Sequence, residues 1–98
     1  MNELYLYGNL GTGNQVVGTN AGTNITGVGN AMLGNDIAPL LTSGNNNTGV
    51  GFNVLANALT SSGCTGLGYS ALQANLANNV TGVGTNALTA NTTGAGNT

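Results

Sequence analysis

The stretch Thr48-Gly49-Val50-Gly51 (TGVG) is the most informative in the chain, because closely related copies of it recur along the sequence. The other strong copies are TGVG at 26–29, TGLG at 65–68 and TGVG at 81–84. A leucine ends the short segment that follows each strong copy, and weaker copies lie at 15–18 and 93–96. A short unit repeated in this way predicts a solenoid, in which each repeat packs only on its neighbours.

The closing glycine of each copy forms a column of predicted strand glycines: Gly18, Gly29, Gly51, Gly68, Gly84 and Gly96. Glycine is unfavourable inside a strand unless another backbone approaches closely or the chain bends. The column therefore predicts a steric demand, made either by the next layer of strands or by another subunit. These glycines are unevenly spaced, with the shortest step from Gly18 to Gly29 and the longest from Gly29 to Gly51. We therefore expect a constant strand unit and spacers of variable length.

A second column, two positions before the threonine of each copy, contains only asparagine or glycine. These residues adopt positive φ more readily than other types. The column predicts the corners at which the chain turns into a strand: Gly13, Asn24, Asn46, Gly63, Asn79 and Asn91.

Two apolar columns predict the core. One precedes the closing glycine and the other is the leucine that ends each unit, which together give Val17, Val28, Val50, Leu67, Val83, Leu33, Leu55, Leu72 and Leu88. The residue before the threonine alternates between apolar and polar types, so we expect that position to be only partly buried. Glycine, threonine, asparagine and valine disfavour helices and fit short strands.

The columns together predict one all-β domain over residues 13–98, a parallel β-solenoid with about six copies, the last of them truncated. A turn as short as the step from Gly18 to Gly29 would hold two short strands and two corners. The longest spacer, 34–47, is expected to be an outward loop, with a role in receptor specificity as the alternative.

Residues 1–12 do not match the repeat. We expect this segment to cap the solenoid or to attach it to a carrier, through a strand formed by Leu4, Tyr5, Leu6 and Tyr7. Its first part, 1–10, also lacks the basic and apolar regions of a secretory signal peptide.

The composition excludes several functions. The 98 residues include no Lys, Arg or His, and the net charge is −2. Nucleic acids and anionic membranes are bound through cations, and no stretch is apolar enough to cross a membrane, so neither is an expected partner. Two carboxylates, three tyrosines and one cysteine predict no catalytic residues, no metal ligands and no cofactor. We therefore expect a protein that is not an enzyme.

A thin core of Val, Ala and Leu predicts self-association. Small domains of this kind depend on disulfides, metals or partners, and Cys64 is the only cysteine in the chain. A glycine column that faced a symmetry axis would let backbones of several subunits approach closely. Phe52 and Tyr69 share a column, which predicts packing at a subunit interface, with a solvent-facing glycan-stacking patch as the alternative.

The pattern Asn-x-Thr-Gly-Val-Gly-x-x-Ala-Leu, at 24–33, 46–55, 63–72 and 79–88, resembles the head repeats of YadA-type trimeric autotransporter adhesins. It is still more similar to repeats in tail fibres of phages and other viruses. The resemblance implies a left-handed β-roll and a homotrimer. The chain departs from the adhesin pattern where those heads usually have alanine, since it has Gly27, Gly49, Gly66 and Gly82.

The resemblance also implies a function. It predicts a structural fibre or spike segment of a virion, such as a phage tail fibre, located on the virion or on an extracellular surface. Expected partners are further copies of the chain, virion tail or baseplate proteins, and a host-surface glycan or protein. One alternative is a bacterial adhesin head. A remote alternative is an ice-binding solenoid, suggested by the recurring threonines and opposed by the unequal spacers.

Overall fold

The computed structural model describes residues 13–98, which fold as an all-β solenoid. Five short strands form one parallel sheet in chain order: β1 (Gln15–Val17), β2 (Ala31–Asn35), β3 (Thr48–Phe52), β4 (Thr65–Tyr69) and β5 (Thr81–Val83). Each connection returns the chain to the position beside the strand that it left. The predicted parallel β-solenoid is confirmed, whereas the predicted segment at residues 1–12 lies outside the described residues.

The turns have nearly constant length. The residues that begin the strands are partners from turn to turn: Gln15, Ala31, Thr48, Thr65 and Thr81. The predicted variable spacers, and the short turn inferred from the step between Gly18 and Gly29, are therefore wrong. The copy at 26–29 does not form a strand of the sheet, and β2 lies further along, where Gly34 pairs with Gly51.

Stacking explains why the second strand lies later than the motif predicts. A strand at 26–29 would leave a turn too short to keep its corners above those of the neighbouring turns. Residues 26–29 instead complete the first turn, with Gly27 buried, Val28 exposed and Gly29 at a corner with φ of 71°. In the same way, residues 93–96 complete the fifth turn and do not form a sixth strand.

The predicted outward loop at 34–47 is also wrong. Gly34 and Asn35 end β2, and the next residues follow the same path as in the other turns. Ile37, Ala38 and Leu41 are completely buried. This segment is therefore part of the solenoid wall, and its side chains fill the core.

Every residue of 13–98 with positive φ falls in one of four columns of the stacked turns. The corners before the strands have φ between 58° and 73° and are Gly13, Gly29, Asn46, Gly63, Asn79 and Gly96. Asn24 and Asn91 were predicted as corners, yet neither has positive φ. Gly29 and Gly96 were predicted as strand glycines and are corners instead, because the true turn length places them there.

Two further columns of positive φ follow each strand. The first holds Asn20, Asp36, Asn53, Ser70 and Asn86, and the second holds Gly22, Ala38, Leu55, Leu72 and Leu88. A left-handed conformation costs a leucine about 1–2 kcal/mol. Full burial of the same side chain stabilises the fold by about 1.5–3 kcal/mol. This gain offsets the cost of the left-handed backbone, so leucine is tolerated at these positions.

The glycine column of the strands is Gly18, Gly34, Gly51, Gly68 and Gly84, with φ between 122° and 136°. A Cβ atom on Gly34 would overlap the carbonyl oxygen of Gly51 in the next turn, and one on Gly51 would lie 2.5 Å from the carbonyl oxygen of Gly68. The predicted sources of this steric demand were the next layer of strands and another subunit. The source in the structure is the backbone of the next turn of the same chain.

Side chains alternate between the two faces of the sheet. The inward column is Val16, Met32, Gly49, Gly66 and Gly82, and it faces the core. The predicted core column Val17, Val28, Val50, Leu67 and Val83 is wrong, because its members point outward from the sheet or, at Val28, from a connection. Leu33 is also exposed, whereas Leu55 and Leu72 are buried as core residues and Leu88 is half-buried.

The two walls of the core complement each other in volume. In the first two turns the inward residue is large, Val16 or Met32, and the facing residue on the opposite wall is small, Gly22 or Ala38. In the other three turns the inward residue is glycine, and the facing residue is a leucine. A Cβ atom on Gly82 would lie 2.9 Å from Cδ2 of Leu72. At this pair of facing positions each turn therefore holds one large side chain, contributed from either wall.

This complementarity predicts a favourable coupling between Gly66→Ala and Val54→Ala. A Cβ atom on Gly66 would overlap Cγ1 of Val54, so overpacking should cost Gly66→Ala about 1–3 kcal/mol. Val54→Ala should cost about 2 kcal/mol through the lost methyl groups. In the double variant the overlap disappears. Urea denaturation should therefore show that the double variant loses about 1 kcal/mol less free energy of unfolding than the two single variants lose together.

The control is a cycle between Gly66→Ala and Leu41→Ala, a buried residue in an earlier turn, which should be additive. Additivity in the Gly66/Val54 cycle as well would contradict the proposed sharing of volume.

Candidate interaction surface

The outer face of the sheet carries an apolar ladder, here called the outer stripe, formed by Val17, Leu33, Val50, Leu67 and Val83. Leu33, Leu67 and Val83 are 53%, 45% and 63% exposed, respectively. Successive members lie on neighbouring strands, about 4.8 Å apart. The outer stripe is thus a regular row of apolar side chains in contact with solvent.

Two aromatic residues extend this surface at the ends of β3 and β4. Phe52 and Tyr69 are partners in the ladder. Their rings stack with centroids 5.7 Å apart and planes at 5° to each other. Such pairs contribute about 0.5–1.5 kcal/mol beyond the area that they bury. The two rings pack on each other, and Phe52 and Tyr69 remain 44% and 55% exposed.

The outer face has almost no electrostatic character. Asp36 is the only charged side chain among the described residues, and it lies at the corner after β2. Its Oδ1 accepts a hydrogen bond from Nδ2 of Asn20 at 2.8 Å. No charge in the described part of the chain therefore opposes contact between the outer face and an identical, uncharged surface.

A second, smaller apolar patch lies on the connections and not on the sheet. Leu59 and Leu76 occupy equivalent positions in successive turns and are each 50% exposed. The neighbouring positions of this column are polar: the amide of Thr42 donates to the carbonyl of Leu59, and the amide of Leu76 donates to the carbonyl of Thr92. Among the described residues, Leu59 and Leu76 thus form an exposed apolar pair that is separate from the outer stripe.

Inside the solenoid lies a polar ladder that was not predicted from the sequence. Each turn contains one asparagine at one of two positions that face the same carbonyl group. The first three turns use the residue before the strand, namely Asn14, Asn30 and Asn47; the last two use a residue in the connection, namely Asn75 and Asn91. Aligning the turns on their true length, and not on the TGVG motif, would have shown this alternation.

Asn30 illustrates how the ladder is bonded. Its Nδ2 donates to the carbonyl of Gly44 at 2.9 Å and to Oδ1 of Asn14 at 3.0 Å. Its Oδ1 accepts from the backbone amide of Asn47 at 2.9 Å. Buried amides must be hydrogen-bonded to be tolerated, so the ladder fixes the register of adjacent turns.

The ladder changes column at Cys64. The amide of Cys64 still donates to Oδ1 of Asn47 at 2.9 Å, and its thiol lies 3.2 Å from the carbonyl of Ala77. A thiol is only a weak donor, and it has no amide oxygen to accept a backbone amide of the next turn. Asn75 takes over and donates to the carbonyl of Ala77 at 2.8 Å. Cys64 and Val80 are both completely buried, so the prediction of a partly buried column before the strands is wrong.

The described residues offer no other kind of site. Across 13–98 no pocket is found, and no three His, Cys, Asp or Glu residues lie close enough to hold a metal ion. None of the segments in this part of the chain forms a helix with the length and apolarity needed to cross a bilayer.

The chain matches no protein-family model, and it has no significant match among curated proteins or solved structures.

Proposed function

We propose that this chain is a structural segment of a fibre or spike, a rigid solenoid that associates with copies of itself through the outer stripe. The observation that carries the proposal is an all-parallel sheet with an apolar outer face. The core covers the inner face of this sheet, whereas the outer face leaves Leu33, Leu67 and Val83 exposed among the described residues. Burial of such apolar side chains favours association with a partner.

A second copy suits this surface better than a charged partner does. A second copy has the same spacing of about 4.8 Å between its turns, so its apolar side chains would lie at heights that match those of the outer stripe. Within residues 13–98 the strands of the outer face have no charged side chain with which to select a charged protein. Uncharged surfaces associate through the burial of apolar area.

We extend the proposal to a homotrimer wound with the left-handed sense of the repeats that the chain resembles. Cyclic association brings two different surfaces of each subunit together, whereas a two-fold dimer uses one surface twice. The outer stripe and the patch at Leu59 and Leu76 supply two such surfaces. Their presence favours the cyclic arrangement.

The carrier that we propose is a virion, as in the tail fibres whose repeats this chain resembles. A bacterial adhesin head is the alternative. In either setting the proposed partners are further copies of the chain and, on a virion, tail or baseplate proteins. A host-surface glycan or protein would contact the exposed aromatic pair. Electron microscopy of particles labelled with an antibody against this chain would distinguish the two carriers.

We propose no enzymatic role and no cofactor. The only nucleophile of high reactivity, Cys64, is completely buried, and the chain has no histidine to act as its base. The nearly constant turn length removes one objection to an ice-binding solenoid. However, only Thr48, Thr65 and Thr81 stack as a threonine row, beside Gln15 and Ala31, so we rank ice binding below the fibre.

Leu67→Asp is expected to abolish self-association while the solenoid stays folded. Leu67 is 45% exposed, so an aspartate there is tolerated in an isolated chain but becomes a buried, unpaired charge in the interface. We expect the wild-type chain to sediment at about three times its 9.5 kDa mass. The dissociation constant of the variant should be at least about 100-fold higher.

The control is Asn57→Asp, which adds the same charge at an exposed position in a connection. It should leave the sedimentation profile unchanged. A wild-type chain that remains monomeric at high micromolar concentration, or a Leu67→Asp variant that associates normally, would rule out the proposed interface.

A further inference from the structure

The chain contains four Asn-x-Thr motifs, which begin at Asn24, Asn46, Asn79 and Asn91, and none of them has proline in the middle. The asparagine of such a motif is the acceptor in N-linked glycosylation. Whether a folded chain can be modified at a given motif depends on the exposure of the asparagine and on whether its Nδ2 atom is already hydrogen-bonded. The structure separates the four motifs on both criteria.

Asn46 and Asn79 occupy the same position in their turns, the corner before a strand. Both have φ of 58°, and both side chains are exposed. Their Oδ1 atoms lie over the corner glycine of the preceding turn, since a Cβ atom on Gly29 or Gly63 would overlap them. Nδ2 of neither asparagine makes a hydrogen bond within residues 13–98. At these two corners the nitrogen that would receive a sugar is therefore accessible and unpaired.

The threonines of the same two motifs are also available. Thr48 begins β3 and is exposed, and Thr81 begins β5 and is half-buried. Their hydroxyl groups make no hydrogen bond to other described residues. Because this hydroxyl defines the motif, an enzyme that reads the motif can reach both of its essential groups at these corners.

The other two asparagines use Nδ2 to hold the fold together. Nδ2 of Asn24 donates to the carbonyl of Pro39 at 3.3 Å. Nδ2 of Asn91 belongs to the buried ladder, where it donates to Oδ1 of Asn75 at 2.8 Å and to the carbonyl of Gly94 at 2.9 Å. Asn91 is also half-buried. These bonds have to break before either nitrogen can react, and Asn91 has more of them to lose.

We propose that Asn46 and Asn79 are acceptor sites for N-linked glycosylation of the folded chain. The co-reactant is an activated sugar phosphate. A bond forms between Nδ2 and C1 of the sugar while the bond from C1 to the phosphate oxygen breaks, and the phosphate leaves with the electron pair. A proton of Nδ2 passes to a base of the transferase. Both sites lie at corners and not in the outer stripe, so the inference does not depend on lateral association.

Sugars at these corners would supply hydration that the side chains of this chain supply only weakly. The 98 residues have a net charge of −2, and proteins with a net charge near zero tend to associate and precipitate. N-linked sugars are bulky and solubilising. The two sites are two turns apart, about 9.6 Å along the solenoid, so both sugars would cover the same side of the protein.

The test uses the purified folded chain, UDP-glucose and a soluble transferase specific for Asn-x-Thr, with mass spectrometry of glycopeptides as the readout. Unstructured peptides 22–28, 44–50, 77–83 and 89–95 each contain one motif, and dividing by their rates removes local sequence preference. Relative to its peptide, Asn91 in the folded chain should react at least about tenfold more slowly than Asn46 or Asn79, because its hydrogen bonds have to break first. Asn24 should be intermediate.

Thr48→Val should abolish modification at Asn46 and leave Asn79 modified, whereas Thr48→Ser should retain both sites. The matched control is Thr65→Val, at the partner position in β4, where Gly63 replaces the asparagine of the motif. It should keep both sites. Leu67→Asp should be modified as the wild type is, which separates this inference from the proposed lateral interface.

Four outcomes would each overturn the proposal. They are a folded chain that is not modified, equal relative rates at Asn46, Asn79 and Asn91, continued modification of Asn46 in Thr48→Val, and loss of modification in Leu67→Asp. Circular dichroism of each variant would show that the solenoid is intact when the rates are compared.

Discussion

Gly34→Ala is expected to prevent folding, whereas Gly84→Ala is expected to yield a folded protein of reduced stability. Both glycines belong to the glycine column and have similar φ, 131° and 122°. They differ in what lies above them: a Cβ atom on Gly34 would overlap the carbonyl oxygen of Gly51, and one on Gly84 would meet nothing within 4 Å. The pair therefore separates backbone strain from steric overlap.

The magnitudes explain the expected difference. A residue held in an unfavourable region of φ and ψ costs about 1–3 kcal/mol, which a domain with about 5–15 kcal/mol of stability survives. An overlap with a hydrogen-bonded backbone can be relieved only by separating two turns, which breaks the ladder on both sides. Circular dichroism and urea denaturation would measure both variants. Equal losses would show that strain alone, and not the next turn, determines the column.

Asn47→Val is expected to destabilise the protein by about 4 kcal/mol, because each buried group left without a partner costs about 1–3 kcal/mol. Nδ2 of Asn47 donates to the carbonyl of Ser61 at 2.7 Å, and its Oδ1 accepts from the amide of Cys64 at 2.9 Å. Ala58→Asn should partly rescue this variant. Position 58 corresponds to Asn75 in the next turn, so an asparagine there should again cap the Ser61 carbonyl.

We expect Ala58→Asn to change stability in opposite directions in the wild-type and Asn47→Val backgrounds, and this difference in sign is the test. In the wild-type background it should destabilise the protein by about 1–3 kcal/mol, because Ala58 is completely buried and its turn already has an asparagine. In the Asn47→Val background it should restore about 1–2 kcal/mol. Asn57→Val, at an exposed position nearby, should change stability by less than about 0.5 kcal/mol. If Ala58→Asn destabilised the protein in both backgrounds, this would contradict the idea that an asparagine at position 58 can replace the one at position 47.

The fold class was predictable because some positions place a local demand on the backbone. Gly13, Asn46, Gly63 and Asn79 all have positive φ. That requirement acts on one residue at a time, so it leaves a trace in the sequence that needs no knowledge of neighbours. The regular recurrence of glycine and asparagine therefore indicated stacked turns before any packing was known.

The register of the second turn was not predictable from the motif. The copy at 26–29 has the same sequence as 48–51, yet only the latter is a strand. What separates them is the distance to the next turn, which has to match the length of the other turns for the corners and the asparagine ladder to align. Local sequence identity does not include this constraint.

The outer stripe was misplaced for a related reason. An alternation of glycine with valine does not reveal which of the two faces inward, and the larger residue was assigned to the core. The structure places Gly66 inward and Leu67 outward, because Val54 and Leu72 from the opposite wall fill the space next to the glycine. Apart from Val28, the apolar column interpreted as core thus belongs to the outer stripe.

A stack of uncharged β-turns follows from the residues taken one at a time, because positive φ is a demand on single positions and the lack of charge is a property of composition. Contacts between turns were needed to settle which copy becomes a strand, which face is buried, and where each turn places its asparagine. Hydrogen bonds such as those from the amide of Asn30 to Asn14 and from the amide of Asn47 to Asn30 join one turn to the next. Each of these outcomes is a choice between arrangements that are locally equivalent, so only the stacked neighbours distinguish them.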